Sequence, residues 1–479
     1  MYELKGLYID GAWCAASDGA GIDIIDPATE QVMGTCAAAT VEDTERAIAS
    51  AEKGLVAWAA FDPWQRSEKL YRVAELMRER IDRYAAITTM ETGRPLAGSI
   101  REWGLAIDQF VWFAEETKRI YGRTVESRLA NAQIRIDHSP IGVVAAFTAW
   151  NFPVSLLARK VAPALAAGCS VVCRPSKETP ASAALIVECC HDAGIPAGVV
   201  NLVTGSASVT SPVIMQSPVV RKVSLTGSTS LGKQLVQEAA STLKKVTMEL
   251  GGHSPCIVFD DANVGAALNA AVATKFFNSG QVCVSPNRFY VQSGSFDAFA
   301  KGFADQAAQL VVGNGLEDGV EMGPLRTASR LAEVDSMVQD AIERGAEVLT
   351  GGKPMDCESG YFYEPTVLIN VPADARLMKE ESFGPVAVIN SFDEFDEVIE
   401  KANDTEYGLA AYVWSQSLYQ ANEAAKRINS GMVAVNTFAL ASAETPFGGI
   451  KSSGSGREGG SECLEDYLNL KYTHLVTQA

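Results

Sequence analysis

At 479 residues the chain is too long for one hydrophobic core, so two or three domains are expected. Hydrophobic residues make up 47% and charged residues 20%, the balance of an ordinary globular protein, and the net charge of -18 argues against general nucleic-acid binding, which needs a basic surface. The same charge requires that an anionic ligand be met by local positive charge against a repelling field.

The first residues, Met1-Tyr2-Glu3-Leu4-Lys5, lack the apolar core of a secretory signal. Short strand-like pieces broken by turns such as Asp10-Gly11 and Asp26-Pro27 fill the first forty residues. Thr40 reads as a helix N-cap, and helical periodicity runs on through Trp64–Leu70 to about Thr92, where Gly93-Arg94-Pro95 ends it. Another helix is predicted over roughly 96–120. Ala132–His138 alternates polar and apolar residues, as a half-exposed strand does, and with 122–126 it has the makings of a hairpin.

From residue 141 the pattern changes. A buried-strand run at 141–147 precedes a helix at 154–167, which Pro163 is expected to kink or split. Strand 170–174, helix 181–192, strand 199–203, a short helix, strand 220–225 and a helix after Gly227 follow. Alternation at these intervals implies a parallel, doubly wound sheet with ligands at the carboxyl ends of its strands. A second alternation runs from 254 to about 435, with strand 256–259, helix 264–278 and strand 288–291. The tail, Tyr467–Leu475, alternates again, and a terminal strand of this kind is suited to pair with another subunit's sheet edge. No run of eighteen apolar residues occurs, so no membrane span is expected.

The cysteines and histidines point away from metal. None of the ten cysteines falls in a CxxC pair, the four histidines (His138, His191, His253, His474) are scattered, and zinc-type spacing is absent. Unpaired cysteines in a long chain suit a reducing cytoplasm.

Two loops point to a dinucleotide. Leu225-Thr226-Gly227-Ser228-Thr229-Ser230-Leu231-Gly232 joins a strand to a helix, where free amides attract phosphate and glycine allows close approach. In isolation it is a plain tight turn; inside four strand–helix repeats it reads as a cofactor loop. Val172-Cys173-Arg174-Pro175-Ser176-Lys177 has no acidic residue for an adenosine ribose and instead offers Arg174, Ser176 and Lys177. Positive charge and a hydroxyl suit a ribose 2′-phosphate, so NADP, or use of both NADP and NAD, is favoured over strict NAD; the competing reading is a solvated basic loop. The fold class expected is α/β: two doubly wound parallel-sheet domains, a Rossmann-like cofactor domain at 1–120 and 139–252 and a catalytic domain at 253–440, with a small β extension for oligomerisation at 121–138 and 460–479.

The chemistry centres on Cys283. A lone cysteine is usually a small core residue, but this one follows Asn278-Ser279-Gly280-Gln281, a polar break after an apolar helix that can expose the sulfur beside a backbone amide. Asn151, in Trp150-Asn151-Phe152-Pro153, offers a side-chain amide to a developing oxyanion, or is a turn before proline. Glu249, ahead of Gly251-Gly252, is a candidate base, or one half of a surface ion pair. A thiol that attacks a carbonyl and a carboxylate that activates water, with an electron acceptor between, oxidise an aldehyde to an acid.

Six motifs in order carry a resemblance: Ala149-Trp150-Asn151-Phe152-Pro153, Thr226-Gly227-Ser228, Glu249-Leu250-Gly251-Gly252, Gly280-Gln281-Val282-Cys283, Glu380-Glu381-Ser382-Phe383-Gly384-Pro385 and Pro446-Phe447-Gly448-Gly449-Ile450-Lys451. Across essentially its whole length the chain resembles the aldehyde dehydrogenase superfamily. The resemblance implies Cys283 as nucleophile, Asn151 and the Cys283 amide as oxyanion donors, and Glu249 as base for deacylation. It implies that Glu381 binds the nicotinamide ribose, that Phe383 lies against the nicotinamide, and that Trp150, Gly227 and Ser228 line the cofactor cleft. It implies attack, hydride transfer to the nicotinamide and hydrolysis of a thioester, and a homodimer or homotetramer. Arg174 stands where that family usually has Lys, and Lys177 where NAD-preferring members often have Glu.

For the substrate, Pro446–Gly456, Arg457-Glu458-Gly459 and Glu465-Asp466-Tyr467-Leu468 resemble succinate-semialdehyde dehydrogenases. That likeness implies that Arg159 grips a substrate carboxylate and that Ser442 assists. A second arginine expected directly before Asn278 is replaced by Phe277. Two substrates fit: a short semialdehyde carboxylate held by Arg159, slightly favoured, or an aromatic or medium-chain aldehyde resting on Phe277. Ser285 stands where some relatives carry a second cysteine, so a regulatory disulfide there is not expected. Other classes carry less of the sequence. A cofactor-free cysteine thioesterase or acyl transferase needs no dinucleotide cleft, a CoA-acylating enzyme typically lacks a base such as Glu249, and a structural scaffold needs none of Cys283, Glu249 and Asn151.

Overall fold

The computed structural model describes residue 2 and residues 4–477. The first sheet has eight strands in the order Gly454–Ser455, Lys245–Glu249, Val220–Thr226, Val143–Phe147, Ser170–Arg174, Val200–Leu202, Leu7–Ile9 and Ala12–Cys14. Its five middle strands are parallel, and the outer ones pair antiparallel. Val143–Phe147 and Ser170–Arg174 are buried along their whole length, as strands with apolar centres are when helices cover both faces. From Val143–Phe147 the chain winds first toward Ser170–Arg174 and then back to Val220–Thr226 on the other side. The crevice of a doubly wound sheet opens at such a reversal. Here it lies between the carboxyl ends at Phe147 and Thr226.

The second sheet has seven strands: Glu347–Thr350, Thr366–Ile369, Val386–Phe392, Pro286–Gln292, Ser254–Val258, Ala410–Trp414 and Met432–Val435, parallel except at the first pair. A third, antiparallel sheet of three strands joins Leu468–Val476, Ala132–Pro140 and Arg123–Glu126. The fold is α/β, built on two parallel sheets. Among the described residues, no helix is long and apolar enough to cross a membrane.

Several local expectations are corrected. The helical stretch from Thr40 to Thr92 is three helices, Val41–Ala59, Pro63–Glu79 and Ile81–Thr92. The first break is written in Asp62-Pro63: Asp62 accepts from Gln65 N at 2.9 Å, Gln65 Oε1 accepts from Asp62 N at 3.0 Å, and Pro63 opens the new helix. Helix Pro153–Ala167 runs unbroken through Pro163, because all fifteen of its residues are buried and packing outweighs the lost backbone bond. Helix Val264–Phe276 stops before Phe277, and Asn278 (φ 51°) and Ser279 (φ 55°) turn left-handed. The tail strand begins at Leu468; the turn before it, Glu462–Tyr467, sends Cys463, Leu464 and Tyr467 into the hydrophobic core packed on the first sheet. The Gly454–Ser455 strand likewise returns the chain to the first sheet.

Candidate active site

Asn151 sits between the end of strand Val143–Phe147 and the start of helix Pro153–Ala167. The buried carboxylate of Glu102 holds that helix start: its Oε1 accepts from Val154 N at 2.8 Å and Ser155 N at 2.9 Å, while Arg94 pairs with the other oxygen. An anion at a helix N-terminus satisfies amides that have no partner within the helix. Asn151 Nδ2 donates to Gln281 O at 3.0 Å, and Asn278 Nδ2 donates to both Asn151 O and Gln281 O at 3.2 Å. These bonds tie Asn151 to the loop that ends, two residues on, at Cys283. One N–H of the Asn151 amide is spent on Gln281, which leaves the other for a ligand.

The loop needs glycine on both sides. Gly280 lies so close to Gly384 that a Cβ would stand 2.0 Å from its carbonyl oxygen. Beyond the strand Lys245–Glu249, a Cβ on Gly252 would stand 2.4 Å from Cys283 O, and one on Gly251 would stand 2.7 Å from Glu381 Oε2. The glycine pair after Glu249 thus lets the Cys283 loop and the Glu381 carboxylate approach the end of the first sheet.

Cys283 is half-buried. Burial pushes its thiol up to about 12, the carboxylates of Glu381 and Glu249 add to the rise, and the Arg159 guanidinium and the residue's own backbone amide oppose it. The thiol is therefore protonated at neutral pH and needs a base. Glu249 is buried, and neither carboxylate oxygen has a hydrogen-bond partner among the described residues. Burial lifts its pKa well above the usual carboxylate range, Glu458 lifts it further, and Lys160, Arg159 and Arg457 pull it down. Burial also pulls the Arg159 guanidinium down, while Glu458, Glu249 and Cys283 raise it. Cys283 thus feels the charges of Glu249, Arg159 and Glu381, and Asn151 is bonded to the same loop.

Two buried cations here carry no function in the sequence reading. Lys160 pairs with Glu458 and donates to Thr226 Oγ1 at 2.7 Å; Glu458 also accepts from Ser224 Oγ at 3.0 Å. Lys275 donates to Asn287 Oδ1 at 2.7 Å and Ser285 Oγ at 3.4 Å, and burial lowers its pKa to about 7 against the pull of Glu381. The signal for both was a lysine set in a mostly apolar helix, within Pro153–Ala167 and within Val264–Phe276.

The crevice fits a dinucleotide. Ser228 caps the twelve-residue helix Thr229–Ala240, accepting from Leu231 N at 3.3 Å, and Gly227 N donates to Glu249 O at 3.0 Å. Trp150 and Phe383 meet edge to face at 5.6 Å. Buried Glu381 Oε1 lacks a partner among the described residues, and burial raises this carboxyl to about 8 against the Gly252 amide, Arg330 and Lys275. An unpaired acceptor beside two aromatic rings, a glycine turn and a helix N-terminus suits a ribose, a flat ring and phosphates.

The 174–178 loop is placed differently from its sequence reading. Arg174 turns inward, donating to Gly205 O at 3.3 Å and Thr210 Oγ1 at 3.4 Å, and Ser176 donates to Glu178. The Gly205 carbonyl and the Thr210 hydroxyl claim Arg174, so Lys177, exposed and ion-paired with no carboxylate among the described residues, is the loop's free cation.

On the substrate side, Arg159 is buried with its guanidinium 4.8 Å from the Phe447 ring, and Nη1 reaches Glu458 O at 3.5 Å. A Cβ on Gly459 would stand 3.1 Å from Arg159 Nη1 and 2.9 Å from Thr445 O, so the 442–445 loop lies beside this arginine. Ser442 Oγ shares a hydrogen bond of 2.9 Å with Thr445 Oγ1. Phe277 is half-buried and pairs with Phe152 at 6.0 Å. No cluster of His, Cys, Asp and Glu able to hold a metal occurs among the described residues.

Residues 13–473 match the family model described as "Aldehyde dehydrogenase family". The chain is 46% identical over 465 residues to the glutarate-semialdehyde dehydrogenase of Pseudomonas putida (strain KT2440), covering 97% of this chain and 96% of the relative. It is 44% identical over 464 residues to the succinate-semialdehyde dehydrogenase [NADP(+)] of Escherichia coli (strain K12), covering 97% and 96%. The crystal structure of an E. coli NADP dependent enzyme superposes with a TM-score of 0.97 at 43% identity, covering 99% of this chain and 98% of that one.

Proposed function

The chain belongs to the aldehyde dehydrogenase family, and from that premise we propose that its site oxidises a semialdehyde bearing a carboxylate, with Cys283 as nucleophile and Glu249 as base. The protein is an NAD(P)-dependent aldehyde dehydrogenase, and its substrate is an aldehyde. In the proposed mechanism, Glu249 takes the Cys283 proton through water, and the thiolate sulfur attacks the aldehyde carbon. Asn151 Nδ2 and the Cys283 amide hold the resulting oxyanion. Bound NADP or NAD would supply the hydride acceptor that turns the thiohemiacetal into a thioester; Glu381 would hold its ribose, Trp150 and Phe383 its nicotinamide ring, and Gly227 and Ser228 would line the cleft. Glu249 then activates water against the thioester carbonyl, and Cys283 leaves as thiolate.

The observation that carries this reading is geometric: Asn151 is hydrogen-bonded to the loop that ends at Cys283, and the Cys283 backbone lies against Gly252, in the turn that directly follows Glu249. Lys177 supports a lean toward NADP, because a free cation in that loop suits a 2′-phosphate. The semialdehyde is supported by Arg159 and by the relatives named for glutarate and succinate semialdehydes. The Phe152–Phe277 pair favours a second reading, an aromatic or medium-chain aldehyde. Exposed Leu470, Tyr472, Leu475 and Val476 on the tail strand support a homodimer or homotetramer, and ten free cysteines support a cytoplasmic setting. The test follows reduced-cofactor absorbance with NAD and NADP against semialdehydes, benzaldehyde and medium-chain aldehydes. Cys283→Ala should abolish turnover. Residual activity in that variant removes the nucleophile, and faster turnover of benzaldehyde than of any semialdehyde removes the substrate reading.

A further inference from the structure

Position 277 offers a phenyl ring to the substrate, yet that ring does not stand alone. Helix Leu96–Glu116 passes directly against it: a Cβ on Gly98 would stand 3.1 Å from Phe277 Cε2. One turn along the same helix, the guanidinium of Arg101 lies 5.4 Å from the Phe277 ring centroid. The neighbouring arginine, Arg94, lies 4.8 Å from the Phe152 ring, but its charge is matched by Glu102. Arg101 is exposed and pairs with no carboxylate among the described residues. A guanidinium resting on an aromatic face keeps its planar fork of donors for a carboxylate.

Arg159 and Arg101 therefore differ in depth. Arg159 is buried, and its charge acts on Cys283 and Glu249. Arg101 lies on the solvent side of a half-buried ring that directly precedes the Asn278 turn. We infer that Arg101 is a specificity-determining residue, the outer cation that pairs with the distal carboxylate of the substrate, with Phe277 as its platform. This inference rests on the semialdehyde reading of the same site. It supplies from a neighbouring helix the charge that position 277 lacks, and it places local positive potential at the mouth of a protein whose net charge is -18.

The test compares kcat/KM for succinate and glutarate semialdehydes with that for butanal and pentanal, their counterparts without a carboxylate. The enzymes are wild type, Arg101→Ala, Arg101→Lys and the double variant Arg101→Ala/Phe277→Arg. In Arg101→Ala the ratio of semialdehyde to neutral aldehyde should fall about tenfold or more, through KM rather than kcat. The fall should be smaller in Arg101→Lys, and the ratio should recover in the double variant. The salt dependence of kcat/KM for the semialdehydes should flatten in Arg101→Ala. A ratio within twofold of wild type in Arg101→Ala, or a parallel loss on all four substrates, overturns the role of Arg101 while leaving the semialdehyde reading intact. A wild-type enzyme that prefers the neutral aldehydes ends the semialdehyde reading itself.

Discussion

Lys160 and Glu458 form a buried pair whose removal, one side at a time, tests whether the charges around Glu249 set its basicity. The Lys160 side chain is fully buried and that of Glu458 is 2% exposed. Replacing Lys160 by Met leaves the Glu458 carboxylate beside Glu249 with its main partner gone. An uncompensated buried charge costs about 3–5 kcal/mol, a large share of the 5–15 kcal/mol that typically separates folded from unfolded protein. Removing both groups, as Lys160→Met/Glu458→Leu, eliminates the orphan charge and leaves the Ser224 and Thr226 hydroxyls short of a partner, at about 1 kcal/mol each. The double variant should therefore be more stable than Lys160→Met alone, as read by urea unfolding followed through tryptophan fluorescence. Kinetics supply the second axis. Glu458 raises the Glu249 pKa and Lys160 lowers it. Lys160→Met should thus move the rising limb of the kcat–pH profile to higher pH, and Glu458→Gln should move it to lower pH. Shifts of the same sign in both variants would refute the electrostatic account, as would a double variant no more stable than Lys160→Met.

The wild-type profile has its own sign. With its pKa lifted by burial, Glu249 is protonated at low pH and inactive as a base, so deacylation should accelerate as pH rises through that raised value. Glu249→Gln should erase the limb and leave one rapid equivalent of reduced cofactor followed by slow turnover; an unchanged limb assigns it to another group. In stability the same carboxyl acts the other way. Its folded pKa exceeds its unfolded one, so its contribution is full below the unfolded value and is lost as pH rises through the folded value. Lys177→Glu should lower kcat/KM for NADP relative to NAD by about 10- to 100-fold, the worth of one charge-assisted contact of about 1.5–3 kcal/mol; an unchanged ratio removes Lys177 from the phosphate. Gly252→Ala should cut kcat by roughly 100-fold, because its Cβ would stand 2.4 Å from Cys283 O and displacing the nucleophile by about 1 Å carries a penalty of that order. Retention of full kcat would show that the loop has room to move.

What the sequence disclosed and what it hid divide along the range of the forces involved. The parallel strands were legible because Val143–Phe147 is apolar throughout and Ser170–Arg174 carries an apolar centre at 171–173, a local record of burial on both faces. The break at Asp62-Pro63 was also written locally, in the cap and the proline, yet it was overridden by the periodicity on either side. Pro163 erred in the opposite direction: a strong local breaker sits inside a helix whose every residue is buried, and no inspection of 153–167 alone weighs that packing. Arg174 illustrates the limit for a site. Its charge and its place at a strand end suggested a ligand, but the acceptors that claim it, Gly205 and Thr210, lie over thirty residues away. Glu458 is also remote from Lys160 along the chain, with a separation of 298 residues. Each of these partners is chosen by the unmet cost of burying a charge. That cost depends on which segments the two sheets bring together, so the residue type announces that a partner must exist and only the assembled fold says which.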